Sequence, residues 1–165
     1  MGCDIHVEID LYQNDKWIHL NEWDEKYFNP FPHRNYSIFG FLGNVRNRDG
    51  TPYITDNRGL TADREEEIQR ACDEIDKAVE EGDIYWGRPD LPYDYLAGYH
   101  GISWVLLSEL LEYDYSQTFI HKGLNKEMSL KEYLGDGFME ILKDTLNHYS
   151  GISAQNIRIF FYFDN

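Results

Sequence analysis

Hydrophobic and polar residues alternate without a break from Cys3 to Tyr12. A β-strand sends alternate side chains to opposite faces of a sheet, so this pattern predicts a strand with one apolar and one polar face. Because Asp and Glu are poor strand formers, a strand face rich in them indicates a role beyond solubility. The apolar set is Cys3, Ile5, Val7, Ile9 and Leu11, and the polar set is Asp4, His6, Glu8 and Asp10.

The rest of the chain predicts a second strand, several helices and a last strand. Gln13 to Asp15 is typical of a hairpin turn, and the near-continuous apolar run at the end of the chain is typical of a central strand. Ser129 and Glu132 match a capping box at the start of a helical region that glycines interrupt at 135–137. The predicted elements are a strand at 16–23, a short helix at 36–45, a loop at 46–59, helices at 63–81 and 103–113, the capped helical region, and a strand at 156–164.

This order of elements predicts a single α+β domain over residues 1–165. We expect a small, mainly antiparallel sheet made of the N-terminal hairpin and the C-terminal strand, with helices packed on one face. The first and last strands are expected to be neighbours in the middle of the sheet. Residues 83–101 are rich in Gly, Pro and aromatic residues and predict a long ordered loop, a kind of segment that often carries function.

Composition favours a reduced, soluble, cytoplasmic protein. The 165 residues are 42% apolar and 16% aromatic, which is enough to form a core. Cys3 and Cys72 have neither metal-binding nor redox spacing, so free thiols are expected. The sequence has no stretch of the length and apolarity that predicts a secretory leader or a membrane span, so we expect no membrane association.

The formal net charge of −15 argues against non-specific binding of nucleic acid, because the phosphate backbone would be repelled. The positive charges are not evenly spread, since five arginines fall between Arg34 and Arg64 against three aspartates. Such a window can form an anion-binding patch on an acidic body. The alternative is that these arginines pair with neighbouring acids.

A metal site is one interpretation of the polar row. Asp4 and His6 lie on one strand face about 7 Å apart, and antiparallel pairing of the terminal strands would add Asp164. A mixed carboxylate and imidazole site would suit zinc, manganese or iron, and a bound water could attack a phosphoryl or acyl centre, with His6 in the catalytic centre. The alternative is a solvated strand face with an ordinary surface histidine.

A second candidate site lies at His100 and Ser103, just before the predicted helix at 103–113. Backbone N–H groups at a helix N-terminus bind anions, and Ser103 could cap the helix or donate to a phosphate. His100 could act there as a general acid or base. The alternative is a loop histidine that is hydrogen-bonded to backbone.

A third candidate site combines arginines and aromatic residues. Arg46 and Arg58 could hold a phosphate and Asn47 could read a base or ribose, while Trp104 offers a stacking face. Together they are typical of a pocket for a small anionic nucleotide, although no established nucleotide-binding motif is present. Further predicted stacking residues are Tyr85, Trp86, Tyr93 and Tyr95.

Several short motifs of this chain form a set: Met1-Gly2-Cys3-Asp4-Ile5-His6, Arg46-Asn47, Arg58-Gly59-Leu60, His100 and Ser103-Trp104. Together they resemble a family of small, functionally uncharacterised proteins from bacteriophages and bacteria. The resemblance implies a phage or prophage setting and a protein that acts against host defence. Gly101 departs from the family pattern, which has a hydroxyl residue after the histidine.

Two functional hypotheses follow. In the first, a cytoplasmic phage-type protein binds a small phosphate-bearing, nucleotide-like ligand and, if a divalent metal is present, hydrolyses it. In the second, an acidic protein-interaction inhibitor or DNA mimic docks on a basic host protein through its surface. Homo-oligomerisation through aromatic residues at 85–99 is compatible with either hypothesis.

Overall fold

The computed structural model describes residues 2–82 and 99–164, in which six strands and five α-helices form. A single 3₁₀ turn, Ala154–Asn156, precedes the last strand. The strands are β1 (Ile5–Gln13), β2 (Lys16–Leu20), β3 (His100–Leu106), β4 (Thr118–His121), β5 (Lys126–Ser129) and β6 (Ile157–Phe163). The helices are α1 (Tyr36–Gly43), α2 (Ala62–Glu80), α3 (Leu107–Glu112), α4 (Leu130–Leu134) and α5 (Asp136–His148).

Four strands form an antiparallel sheet in the order β2-β1-β6-β3, and β4 and β5 form a separate hairpin. The first and last strands are therefore central neighbours, as expected, with Ile5 opposite Phe163 and Leu11 opposite Ile157. This arrangement confirms the α+β class. Asn14 and Asp15 have φ values of 51° and 61° and close the β1–β2 hairpin with the left-handed residues that a tight turn needs.

The apolar face of the sheet carries the main core, to which β1 and β6 contribute alternate residues. Helices α1, α3 and α5 supply the residues that cover this face, because each has a fully or nearly fully buried apolar side chain in the same cluster. The buried set includes Val7, Ile9, Leu11, Phe39, Leu42, Leu107, Leu110, Phe138, Leu142, Ile159, Phe161 and Phe163.

Helix α2 begins over the opposite, polar face, so the helices do not all lie on one side of the sheet. The Arg64 guanidinium lies 3.9 Å above the ring centre of Phe160, a residue of β6 that faces away from the core. Apolar residues recur along α2 at helical spacing, but of these only Cys72 is buried, whereas Ile68 and Ile75 are half-buried and Val79 is exposed. Arg64 is the other buried residue of this helix.

The prediction of a helix beginning at Ser103 is wrong. Residues 100–106 form β3, and the helix starts only at Leu107. Ile102, Trp104 and Val105 favour strand structure, and β6 offers β3 a partner that local sequence does not show. The β4–β5 hairpin was also missed by the sequence prediction.

A buried ion cluster joins the polar face to α2. Asp10 in β1 is 0% exposed, and its carboxylate accepts hydrogen bonds from Arg158 Nε at 2.6 Å and from Arg64 Nη2. His19 Nδ1 in β2 lies 2.7 Å from the same carboxylate. Arg158 also donates to Asp63, the second residue of α2. One carboxylate therefore connects β1, β2, β6 and α2.

The charges around Asp10 outweigh the effect of its burial. Burial raises the pKa of this carboxyl group, but the His19 hydrogen bond and the Arg64 and Arg158 charges lower it further, to about 2. A group with a depressed pKa contributes its full stability above the pKa of the unfolded chain, about 3.9. That contribution disappears as the pH falls from about 4 towards about 2.

We expect Asp10→Asn to lower the free energy of unfolding by about 3–5 kcal/mol at neutral pH, because two buried arginines lose their shared anion. Chemical denaturation at a series of pH values measures the effect. The difference from the unmodified protein should shrink between about pH 4 and about pH 2. Asp15→Asn, an exposed change in the hairpin turn, is the control and should have little effect. A pH-independent difference would contradict the assignment.

Gly101 has a structural reason to be glycine. Its φ is +62°, and an added Cβ would lie 3.0 Å from Phe163 and 3.2 Å from Val45. We expect Gly101→Ala to destabilise the protein by about 1–2 kcal/mol or more, because a left-handed conformation and a tight contact both disfavour a side chain. Thermal or chemical unfolding measures the change. Gly137→Ala in α5, where nothing lies within 4 Å, should instead be neutral or slightly stabilising.

Candidate functional site

The His6 and Asp164 side chains and the backbone of Asp4 lie together at the end of the central strand pair, where the sequence predicts a site of all three residues. Asp164 Oδ1 accepts the backbone N–H of Asp4 at 2.8 Å, and Asp164 Oδ2 lies 3.1 Å from His6 Nε2. The hydrogen bond from the Asp4 N–H, followed by that with His6, lowers the pKa of Asp164. His6 and Asp164 therefore form a hydrogen-bonded pair with an ionised carboxylate.

The Asp4 side chain does not join this pair. Both of its oxygens accept hydrogen bonds from Arg34, from Nε at 2.7 Å and from Nη2 at 2.6 Å, and this contact lowers the pKa of Asp4. Within residues 2–82 and 99–164, no group of three or more His, Cys, Asp or Glu side chains has a metal-binding arrangement. The metal site at Asp4, His6 and Asp164 stays a prediction without geometric support.

Aromatic rings surround the His6 imidazole. It stacks on Tyr162 at 5.0 Å with an interplanar angle of 10°, and its edge meets Tyr99 at 5.1 Å. The His6 side chain remains 37% exposed. A half-exposed imidazole that is held by two rings and hydrogen-bonded to a carboxylate is suited to proton transfer.

His100 is not placed to act with His6. It pairs with Phe163, whereas His6 pairs with the adjacent residue Tyr162, and successive strand residues face opposite sides of the sheet. His100 Nδ1 is buried, and within the described part of the chain it has no hydrogen-bond partner. The two histidines that the sequence predicts as catalytic therefore belong to different faces.

The residues of the predicted phosphate site are engaged in structural contacts. Arg46 donates to the Cys3 thiol, whose pKa is nevertheless raised by burial. The Asn47 amide donates to Asn44 and to the carbonyl of Thr51, and its oxygen accepts the Thr51 N–H at 2.8 Å. Asn47 therefore organises the loop between α1 and α2.

Arg58, Ser103 and Trp104 do come together. Arg58 stacks on Trp104 at 4.6 Å, and its backbone N–H donates to Ser103 Oγ at 3.1 Å. However, both Nη atoms of Arg58 donate to Glu109, at 2.8 and 2.7 Å. Ser103 is buried within β3 and is no helix cap. A phosphate at this position would have to displace Glu109.

We expect AMP to leave the backbone amides of Arg58, Ser103 and Trp104 unshifted in ¹⁵N–¹H spectra of the unmodified protein, because Glu109 occupies the Arg58 guanidinium. In Glu109→Gln the competing charge is gone, so any latent affinity of this guanidinium for phosphate should then appear. The exposed change Glu140→Gln is the control. Shifts in the unmodified protein that Arg58→Lys abolishes would restore the predicted nucleotide site.

A groove crosses the polar face beside His6. It consists of two cavities, of about 430 and 280 Å³, that share Glu8, Asn21 and Tyr162 as lining residues. The larger cavity lies between the sheet and α2 and is also lined by His19, Leu60, Arg64, Glu67, Ile68, Ala71 and Phe160. The smaller cavity is also lined by Ile5, His6, Val7, Glu22, Trp23, Tyr27 and Asn29.

Trp23 lies at the rim of the smaller cavity and is 86% exposed. A tight turn holds it there, because the Trp23 N–H donates to Asn21 Oδ1 at 2.9 Å and the Asn21 N–H donates to Asp24 Oδ2 at 2.8 Å. This turn ends β2 at Leu20, three residues before the predicted end of the strand. An ordered turn thus presents a large aromatic surface to solvent.

The sequence signal reached only part of this groove. The alternation at 3–12 predicts the polar face of β1, including His6 and Glu8. The sequence did not indicate the other groove residues, among them Asn21, Tyr27, Arg64 and Tyr162. Nothing near Arg64 in the sequence indicates that its partner is Asp10, which is 54 residues away. The predicted stacking residues Tyr85, Trp86, Tyr93 and Tyr95 lie outside the described residues.

Comparisons with protein-family models, curated proteins and solved structures found no match. The resemblance to a phage and bacterial family therefore stays a prediction. Among the helices that the structure describes, none has both the length and the apolarity to cross a membrane.

Proposed function

We propose that this protein binds a small molecule in the groove on the polar face of its sheet. The observation that carries the proposal is the pair of adjacent cavities that share three lining residues, with His6 on the wall of the smaller one. Their combined size falls in the range of sites for drug-sized ligands. Side chains from β1, β2, β6 and α2 converge there, which is typical of a formed binding site.

His6 is the acid–base group of this proposed site. Its Nε2 contacts the Asp164 carboxylate, which fixes the orientation of the ring, while part of the imidazole faces the cavity. A ligand in the smaller cavity would therefore meet a group that can exchange a proton.

The groove has more support than the arginine loop as the ligand site. Arg58 is neutralised by Glu109, and Asn47 is committed to its own loop. The nucleotide hypothesis and the anti-defence role stay predictions. The acidic-surface hypothesis also stays a prediction, and the exposed acids of α2, such as Glu65, Glu66 and Glu74, are the residues on which it depends.

Filling the groove should block binding. Ala71 is exposed and lines the larger cavity, so Ala71→Phe should occupy that space without disturbing the sheet. A mixture of neutral, cationic and anionic fragments is screened by ¹⁵N–¹H spectra. We expect fragments with Kd values of about 1 mM to shift the amide signals of Glu8, Asn21 and Tyr162. In Ala71→Phe the affinity of these fragments should fall at least tenfold.

Gln69→Phe places the same ring on the same helix, at an exposed position that lines neither cavity, and is the matched control. It should leave fragment binding unchanged. Fragments that shift only residues elsewhere, or that bind Ala71→Phe with undiminished affinity, would show that the groove is not the ligand site.

A further inference from the structure

We infer that the ligand of this groove is an amphipathic amine, with its ammonium group in the smaller cavity and its apolar body under α2. This inference rests on the proposed function, because it concerns the same groove. It comes from the difference in chemistry between the two cavities, which share one wall at Glu8, Asn21 and Tyr162.

The smaller cavity fits a positive charge. Glu8 and Glu22 contribute carboxylates to its wall, Asn21 and Asn29 contribute amide groups, and no described lining residue is Lys or Arg. Arg64 donates to Glu8 Oε2 at 2.7 Å from the neighbouring cavity, but the same guanidinium also binds Asp10. His6 also lines this cavity, and its Nε2 lies 3.1 Å from the Asp164 carboxylate. Carboxylates therefore outnumber the arginine around this cavity, and the net charge of −15 adds to the negative potential.

Aromatic rings of the same cavity add to this preference. Trp23 and Tyr27 line it, and the face of an aromatic ring attracts a cation. The third ring, Tyr162, is already stacked on His6 through one face. The Tyr27 hydroxyl already donates to the carbonyl of Val7, so this ring is fixed in place. The exposed indole of Trp23, otherwise unused in the fold, becomes one wall of an ammonium site.

The larger cavity fits an apolar body. Its walls include Leu60, Ile68 and Ala71 on one side and Phe160 on the other. The charged groups there are mostly paired, since Arg64 binds Asp10 and Glu8, and His19 contacts Asp10, Asp63 and Glu67. An apolar group can enter this space without leaving an arginine unpaired.

An anionic ligand fits less well. A carboxylate or phosphate in the smaller cavity would lie beside Glu8 and Glu22, and like charges at short range repel. The ligand class that matches the chemistry of both cavities is thus an arylalkyl or alkyl amine of low molecular mass.

A matched set of probes tests the inference. Tryptamine carries an indole and an ammonium group, tryptophol replaces the ammonium with a hydroxyl, indole-3-propionate replaces it with a carboxylate, and ethylamine lacks the ring. Kd values come from ¹⁵N–¹H titrations at neutral pH that follow Glu8, Asn21 and Tyr162. We expect tryptamine to bind at least tenfold more tightly than tryptophol and ethylamine, and indole-3-propionate not to bind.

Variants identify the residues that recognise the charge. Glu22→Gln, which leaves the Arg64 ion pairs intact, and Glu8→Gln should each reduce tryptamine affinity towards that of tryptophol. Glu140→Gln on the distant helix α5 carries the same charge change and should have no effect. Trp23→Ala should reduce the affinity for tryptamine severalfold. Tyr53→Ala, which removes another exposed ring, should leave that affinity unchanged.

Salt distinguishes specific recognition from general attraction to an acidic protein. Between about 0.01 M and about 1 M salt the Debye length falls from about 30 to about 3 Å, so long-range attraction is lost while close contacts persist. We expect the preference for tryptamine over tryptophol to shrink but survive. Its complete loss at high salt would overturn the ammonium site.

The remaining outcomes separate this inference from the proposed function. Equal affinity of tryptamine and tryptophol in the groove would overturn the inference that the ligand is an amine, while the groove would remain the ligand site. Tighter binding of indole-3-propionate would reverse the inferred charge. If no probe shifts the groove while other fragments do, the amine class is wrong but the groove is still the ligand site. If no compound of any charge shifts the groove, both proposals fail.

Discussion

The buried carboxylate of Asp10 is the contact on which the arrangement of the polar face depends. It is fully removed from solvent, and burying an unpaired charge would be very costly, so its partners are required by the fold. Arg158 comes from the adjacent strand, His19 from the hairpin partner and Arg64 from α2. The hairpin of β1 and β2, the last strand β6 and helix α2 are thereby fixed relative to one carboxylate.

The same contact explains why a groove exists. Protein interiors are close-packed, so apolar side chains between a helix and a sheet leave little empty space. Here the first turns of α2 meet the sheet through Arg64, a long side chain that lies over Phe160 and reaches Asp10 and Glu8. The spacing set by this side chain leaves a cavity of about 430 Å³ between Ile68 and Ala71 of the helix and the rings of the sheet.

Sequence patterns predicted the sheet better than the site, for physical reasons. The alternation at 3–12 predicts the two faces of β1, since a strand has a period of two residues. It does not show which polar residues become buried. In the sequence Asp4 and Asp10 occupy equivalent positions of the same polar row, and only the placement of α2 over Asp10 distinguishes them. The arginines between Arg34 and Arg64 looked like a free anion patch, but Arg34, Arg58 and Arg64 pair with acids 30, 51 and 54 residues away. β3 was assigned to a helix because its partner β6 begins more than 50 residues later in the chain.

The central pairing of β1 with β6 has a consequence for biosynthesis. Ile5 is opposite Phe163, so the middle of the sheet joins two segments that are 158 residues apart in the sequence. While the ribosome is still extending the polypeptide, β1 has only β2 as a partner, and an isolated hairpin is marginally stable in water. The core can therefore close only after β6 has left the ribosome, and contacts of such long sequence separation form slowly. During that interval the carboxylates of β1 keep the exposed strand charged, which opposes association between nascent chains.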